Sequence, residues 1–183
     1  DEMARFVSHK IKTEGRVMLI FICTHNSRRS HLAQVWAKIA SLHFGFKDNE
    51  VLVYSGGTEV TACNPRTVAA LQRAGVPIEK ASSVHQTNNP RYMVSLGDTI
   101  APLYLYSKRY DDAANPSQGF CAIPVCSSAD AECPFIIGAE KRIYHGYDDP
   151  KASDDTPQES ATYDVRCRQI ATEMLYVFKK ASA

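Results

Sequence analysis

One junction limits what this chain can fold into more than any other feature. Val17-Met18-Leu19-Ile20-Phe21-Ile22 is an unbroken apolar run, and Cys23-Thr24-His25-Asn26-Ser27-Arg28-Arg29-Ser30 follows it. Beyond the polar octet, Leu32, Ala33, Val35, Trp36, Ile39 and Ala40 recur at helical spacing. An apolar run without alternation reads as a strand covered on both faces, the kind a parallel sheet needs. Strand, short polar loop and amphipathic helix in that order begin a βαβ unit.

The rest of the first half continues the pattern. Val51-Leu52-Val53-Tyr54 reads as a second strand, ended by Gly56-Gly57. Asn64-Pro65 is a cap followed by proline at the first helical position, opening a helix through Val68, Ala69 and Leu71 to Gly75. The order is therefore β-α-β-α, an α/β fold with a parallel sheet. Phe120 to Val125 is a further apolar strand, followed by Cys126. Thr156-Pro157-Gln158-Glu159 has the capping-box pattern and predicts a last helix, striped by Tyr163, Cys167, Ile170, Ala171, Met174, Leu175 and Phe178. Lys179 and Lys180 suit its C-terminal end. Between about 76 and 119, clusters of Pro, Asn, Gly and Asp surround two β-like runs, Tyr92-Met93-Val94 and Leu103-Tyr104-Leu105-Tyr106. A hairpin-like insertion over about 85–119 accounts for them. Residues 1–16 read as an arm or a short helix, and 17–183 as a single domain, which suits a length of 183 residues.

Composition removes several classes of function. Hydrophobic residues make up 44% and charged residues 22%, so disorder and collagen are excluded. Lys and Arg total 21 against 20 Asp and Glu, which gives no basic surface for nucleic acid. No apolar run approaches the roughly 20 residues that span a membrane. Residues 1–16 lack the apolar core of a signal peptide, although the first residue, Asp1, shows that the native start is not necessarily present. The expectation is a cytoplasmic protein without nucleic-acid or membrane partners. Six cysteines then allow three disulfides, a metal site or thiol chemistry.

The octet favours thiol chemistry. A loop closing into a helix N-terminus turns backbone N–H groups inward and makes a nest for an anion, here from Thr24, His25, Asn26, Ser27, Arg28 and Arg29. Cys23, at the strand end, puts its sulfur at the nest's centre, where the positive field favours the thiolate. Arg29 can return over the nest and clamp two oxygens of a tetrahedral anion, and Arg28 adds positive charge for a dianion. The Ser30 hydroxyl can steady the thiolate as a leaving group, and Asn26 tolerates a left-handed backbone. A proton for a leaving oxygen needs an acid. Asp149, before Pro150 in a polar loop, is the candidate and Asp148 the competitor, while a plain turn explains Asp148-Asp149-Pro150 equally well.

Cys126 and Cys133 are separated by Ser-Ser-Ala-Asp-Ala-Glu. Ser127 and Asp130 can cap a short helix there, which would set the two Cα atoms about 10 Å apart. A disulfide needs them within about 7 Å, so bonding would unwind the segment. That suits a redox switch better than a permanent staple. Buried structural thiols and a zinc pair are the competing explanations, the latter weakened because no second ligand pair is present. Cys63, Cys121 and Cys167 read as packing residues, Cys63 as a staple to Val68.

The octet, Tyr54-Ser55-Gly56-Gly57-Thr58, Asn64-Pro65 and Gly146-Tyr147-Asp148-Asp149-Pro150 together resemble the low-molecular-weight protein tyrosine phosphatases and the arsenate reductases built on the same fold. The resemblance covers most of residues 17–183. It implies a four-stranded parallel sheet flanked by helices, a Cys23 nucleophile and Asp149 as general acid. The Cys126/Cys133 spacing followed by Pro134 is similar to that of the thioredoxin-coupled arsenate reductases. What this implies is attack by Cys23 on arsenate, resolution by Cys126, then a Cys126–Cys133 disulfide for a thioredoxin-like reductant. The alternative is hydrolysis of phosphotyrosine or another phosphate ester through a Cys23 phosphocysteine, and a third is a non-catalytic oxyanion-binding module. His25 and Arg28 depart from the Gly and Cys frequent in the family. Gln34 replaces the acidic residue that the potassium site of some relatives would need, so no metal or other cofactor is expected. Lys151, Ala152 and Ser153 stand where phosphatases often carry aromatics. Tyr92, Tyr104, Tyr106 and Tyr110 read as the outer face of the hairpin or as a platform for an aromatic substrate.

Overall fold

The computed structural model describes residues 2–81, 88–132 and 135–183. The chain opens with helix α1 (Glu2–Glu14), the helix alternative for the N-terminal arm. Met3, Ala4, Val7 and Lys10 are its buried positions, and it packs on the last helix. Strand β1 (Val17–Cys23) follows and leads through the octet into α2 (Arg29–His43). Then come β2 (Val51–Gly57), α3 (Pro65–Arg73), and the short strands β3 (Ile78–Lys80), β4 (Tyr92–Val94) and β5 (Leu103–Leu105). The last third holds β6 (Phe120–Pro124), α4 (Ser127–Glu132), β7 (Ala139–Arg142), a 3₁₀ turn (Pro150–Ser153) and α5 (Glu159–Ala181).

Four strands pair in parallel in the order β2-β1-β6-β7. The expected α/β fold with a four-stranded parallel sheet flanked by helices is therefore present. β1 lies between two neighbours, which is why Leu19, Ile20, Phe21 and Ile22 are all fully buried. Burying apolar area at about 25 cal/mol per Å² makes this run a main source of stability. Its register also positions the chemistry. Ile22 pairs with Gly56 on one side and Pro124 on the other, so Cys23 leaves the sheet beside Gly57 and just ahead of Cys126.

The hairpin reading of the middle segment is correct and incomplete. β4 pairs antiparallel with β5, and β3 joins as a third strand. β7 had no sequence signal at all. Its four residues, Ala-Glu-Lys-Arg, are an edge strand, where charge discourages pairing with another chain.

Two helix starts differ from expectation. Asn64 caps α3 as predicted, its side chain accepting from the Arg66 N–H at 2.9 Å. α5, however, starts at Glu159 and not at Pro157. The Glu159 carboxylate, needed for the box, is drawn instead to Arg66 and to the Asp155 N–H, each at 2.7 Å. α4 is capped by Cys126 and not by Ser127: its sulfur accepts from the Ala129 N–H at 3.4 Å, while the Asp130 carboxylate pairs with Arg142.

Candidate active site

The octet folds into a bowl because its carbonyls are tied outward. The Cys23 carbonyl accepts from the Thr58 N–H, that of Thr24 from Glu59, and that of Ser27 from Asn64 and the Thr67 hydroxyl. The His25 carbonyl accepts from the Ser107 hydroxyl at 2.7 Å. In a trans peptide the next N–H points opposite to the carbonyl. The N–H groups of Thr24, His25, Asn26 and Arg28 therefore point away from those partners, the arrangement an anion nest needs. Asn26 adopts φ 46°, the left-handed turn anticipated for it. Its side chain bridges the bowl, donating to Ser30 Oγ at 2.9 Å and accepting from the Lys108 N–H at 3.0 Å.

Cys23 sits at the base, 3% exposed, with its sulfur 3.1 Å from Ser30 Oγ. Arg29 begins α2 and leans to the acid: its Nη2 donates to Asp149 Oδ2 at 2.7 Å and its Nη1 to the Tyr147 carbonyl at 3.0 Å. Its Nε is buried without an acceptor, a donor left over for an incoming oxygen. Asp149 also caps the 3₁₀ turn by accepting from the Lys151 N–H, as the turn reading expects. Asp148 is 94% exposed at its side chain and pairs with Arg166, away from the bowl.

The other basic side chains of the loop are engaged elsewhere. Arg28 donates to Tyr163 Oη at 2.7 Å and to Asp154 at 3.1 Å, so what it offers the bowl is its backbone N–H. Its guanidinium, expected to favour dianions, fastens the loop to α5 instead. His25 lies 3.3 Å from Glu59, both largely exposed.

Supporting residues were harder to foresee. The chain after β5 runs beside the bowl, where Ser107 and Lys108 hold loop atoms and Lys108 and Tyr110 bond to both backbone groups of Gly57. A Cβ on Gly57 would stand 2.7 Å from the Thr24 carbonyl oxygen and 2.8 Å from the Asn26 nitrogen. A Cβ on Gly56 would meet Tyr110 Cα at 2.3 Å. The glycine pair extends β2 and lets three backbones converge, which the sequence showed only as a strand end. His31 lies behind the bowl, fully buried, 3.2 Å from Ser55 Oγ. Burial first and Lys108 second push it down to about 3, so it stays neutral. Its place on the apolar side of a helix next to Ser30 was the available signal. Gln34 is another buried link, donating to the Val53 carbonyl at 3.2 Å. Among the described residues no group of three His, Cys, Asp or Glu side chains is arranged to hold a metal.

The cysteines separate by surroundings. Val125 donates its N–H to the Ile22 carbonyl at 2.7 Å, laying the start of the α4 segment along the exit of β1. Cys126 then comes to rest with its sulfur 3.7 Å from Thr24 Oγ1, over the residue that adjoins Cys23. Cys133 lies outside the described residues. Burial pushes the Cys63 and Cys121 thiols up to about 12 and also raises Cys167, which leaves all three protonated and poor nucleophiles. No disulfide links Cys23, Cys63, Cys121, Cys126 and Cys167.

Beside the bowl, His25, Arg28, Thr61, Asn64, Pro65 and Lys151 line an open cleft of about 320 Å³. None of the four insertion tyrosines is among its walls. Tyr106 is held by Arg91 and Lys108, whose charges lie 4.3 and 4.6 Å from its ring centre, and Tyr92 and Tyr110 pack on the core. Only Tyr104 is substantially exposed.

Residues 18–100 match the sequence profile of the low molecular weight phosphotyrosine protein phosphatase family. An arsenate reductase of Bacillus licheniformis is 30% identical over 160 residues, 87% of this chain and 93% of that protein. Among solved structures, a low molecular weight phosphotyrosine phosphatase from Vibrio cholerae O395 overlays with a TM-score of 0.55 at 15% identity, covering 88% of this chain and 93% of that one. An arsenate reductase in the phosphate binding state overlays at 0.54 and 15%, covering 90% and 98%. These two structures establish the fold as phosphatase-like. The chain belongs to the low-molecular-weight protein tyrosine phosphatase family, in which relatives named as arsenate reductases and as phosphatases, both cysteine-based enzymes, share that fold.

Proposed function

We propose that the protein is an arsenate reductase of the phosphatase-like type, with Cys23 as nucleophile and Cys126 and Cys133 as resolving thiols. The observation that carries this reading is the approach of Cys126 to the bowl, its sulfur 3.7 Å from the Thr24 hydroxyl and outside any strand. The Cys23 thiolate attacks arsenic while the inward N–H groups and Arg29 hold the oxygens. One oxygen leaves as water, taking a proton from Asp149, which is freed when the anion draws Arg29 away. The Cys126 thiolate then attacks the Cys23 sulfur. An S–S bond forms and the S–As bond breaks with its electron pair on arsenic, so As(V) leaves as As(III) arsenite. Cys133 attacks Cys126 and releases the Cys23 thiolate. A thioredoxin-like dithiol reduces the Cys126–Cys133 disulfide, supplying the two electrons.

Phosphate-ester hydrolysis is the second reading, favoured by the 2.7 Å Arg29–Asp149 pair at the rim of the bowl. It needs the same Cys23 attack, with Asp149 protonating the leaving oxygen and water resolving the phosphocysteine. The two are separated by assaying arsenate turnover with thioredoxin and its reductase beside aryl phosphate hydrolysis. Cys126→Ser is expected to lose arsenate turnover and keep phosphate hydrolysis. Unchanged arsenate turnover in that variant refutes the three-thiol scheme.

A further inference from the structure

A second cleft, of about 250 Å³, opens between α2, α3 and α5. Trp36, Ala70, Ala74, Cys167, Arg168 and Ala171 are among its walls. The alanines leave room where larger side chains would meet. The indole of Trp36 is fixed by donation from Nε1 to Cys167 Sγ at 3.2 Å, which gives the cleft one rigid aromatic wall. At its edge Arg73 is neutralised by two short contacts to Asp164, at 2.9 and 2.7 Å. Arg168 is exposed and has no ion-pair partner among the described residues. An apolar slot with one flat aromatic wall and one uncommitted guanidinium suits a planar ring bearing an acid.

Each helix around the cleft ends at the phosphate bowl. α2 carries Arg29 and Ser30 at its first turn, two turns before Trp36. α3 holds the Ser27 carbonyl through the Asn64 N–H and the Thr67 hydroxyl. α5 holds Arg28 through Tyr163, one turn before Cys167. A molecule wedged among the three helices bears on the bowl through all three attachments.

We propose that this cleft binds a small planar aromatic molecule with one acidic group, and that its occupant alters the anion affinity of the bowl. The test uses 8-anilino-1-naphthalenesulfonate and its uncharged counterpart N-phenyl-1-naphthylamine. The chain's single tryptophan, Trp36, is the reporter. Both probes are expected to quench Trp36 emission saturably at one per chain, and inorganic phosphate at saturation is expected to leave them bound. Arg168→Ala should weaken the sulfonate about tenfold, the scale of one lost charge-assisted bond, and leave the amine within about twofold. Ala74→Leu, at an exposed wall position that leaves the fold intact, should weaken both about tenfold or more. Occupied protein should bind phosphate with an affinity changed by about twofold or more, and phosphate should change probe affinity by the same factor. Binding indifferent to both substitutions, or complete displacement by phosphate, overturns the site. Probe binding that leaves phosphate affinity unchanged overturns the coupling.

Discussion

The octet bowl and the α4 segment meet at Thr24 and Cys126, and they are held to different degrees. The bowl is tied by bonds from β2's exit, α3, α5 and the chain after β5, and its one positive φ is carried by Asn26. α4 is six residues long, anchored by buried Ala129, the Cys126 cap and the Asp130–Arg142 pair. Beyond it Phe135 and Ile137 are 80% and 81% exposed. A preorganised anion site gains from having no freedom, because its donors need no rearrangement when charge develops. The proposed relay would need the reverse, because Cys126 caps α4 and has to leave that place to exchange partners. A many-bonded loop and a six-residue helix with few anchors therefore stand on either side of one sulfur–hydroxyl contact.

Loss of the nucleophile should do the most damage. Cys23→Ser is expected to abolish both arsenate turnover and aryl phosphate hydrolysis, by about a thousandfold or more, since either reading begins with that sulfur. Surviving hydrolysis would remove the bowl from the mechanism. Next comes the rigid side. Gly57→Ala forces a methyl against the Thr24 and Asn26 backbones, and should cost about 1–3 kcal/mol of stability with a tenfold or greater loss of phosphate affinity by calorimetry. Tight phosphate binding in that variant would show that the bowl is softer than its bonds suggest.

Acid sharpens the same side. His31 is neutral in the folded protein down to about pH 3 but takes a proton near pH 6.5 when unfolded. Below that upper value the unfolded state binds the extra proton, so His31 costs stability as pH falls, by up to about 1.4 kcal/mol per pH unit, between about 6.5 and 3. Denaturant melts of the protein and of His31→Gln should differ in slope over that window by about one proton. Equal slopes would mean that His31 takes up its proton without unfolding. The smallest effect belongs to the loose side. Asp130→Ala removes a partly exposed pair and should lower global stability by no more than about 1 kcal/mol. Amide exchange confined to α4 should nevertheless quicken several-fold, and exchange unchanged there would mean that the helix is held by something else.

Much of the bowl was legible because its signals are local. The buried strand, the left-handed Asn26 and the Asn64-Pro65 cap each act within a few residues of themselves, and each formed as read. What escaped depends on distant partners. β7 is four residues without an apolar pattern, recruited by an open edge beside β6. Glu159 looked like a capping residue until Arg66, from another helix, claimed it. Ser127 lost its capping role to Cys126, whose sulfur β6 sets in the right place. The Ser107–Tyr110 stretch looked like the tail of an insertion, yet it is a wall of the bowl because β2 ends in two glycines beside it. Arg28 reads as an anion ligand by position alone, and only the fold reveals Tyr163 and Asp154 waiting for it.

The most direct test isolates the first thiol transfer. Reduced Cys133→Ala protein is mixed with arsenate without any reductant, and released arsenite and disulfide-linked peptides are measured together. The account predicts one arsenite per chain and an equal amount of a Cys23–Cys126 disulfide, after which the reaction stops. Arsenite released without that disulfide, or no arsenite from a chain that still hydrolyses aryl phosphate, would contradict it.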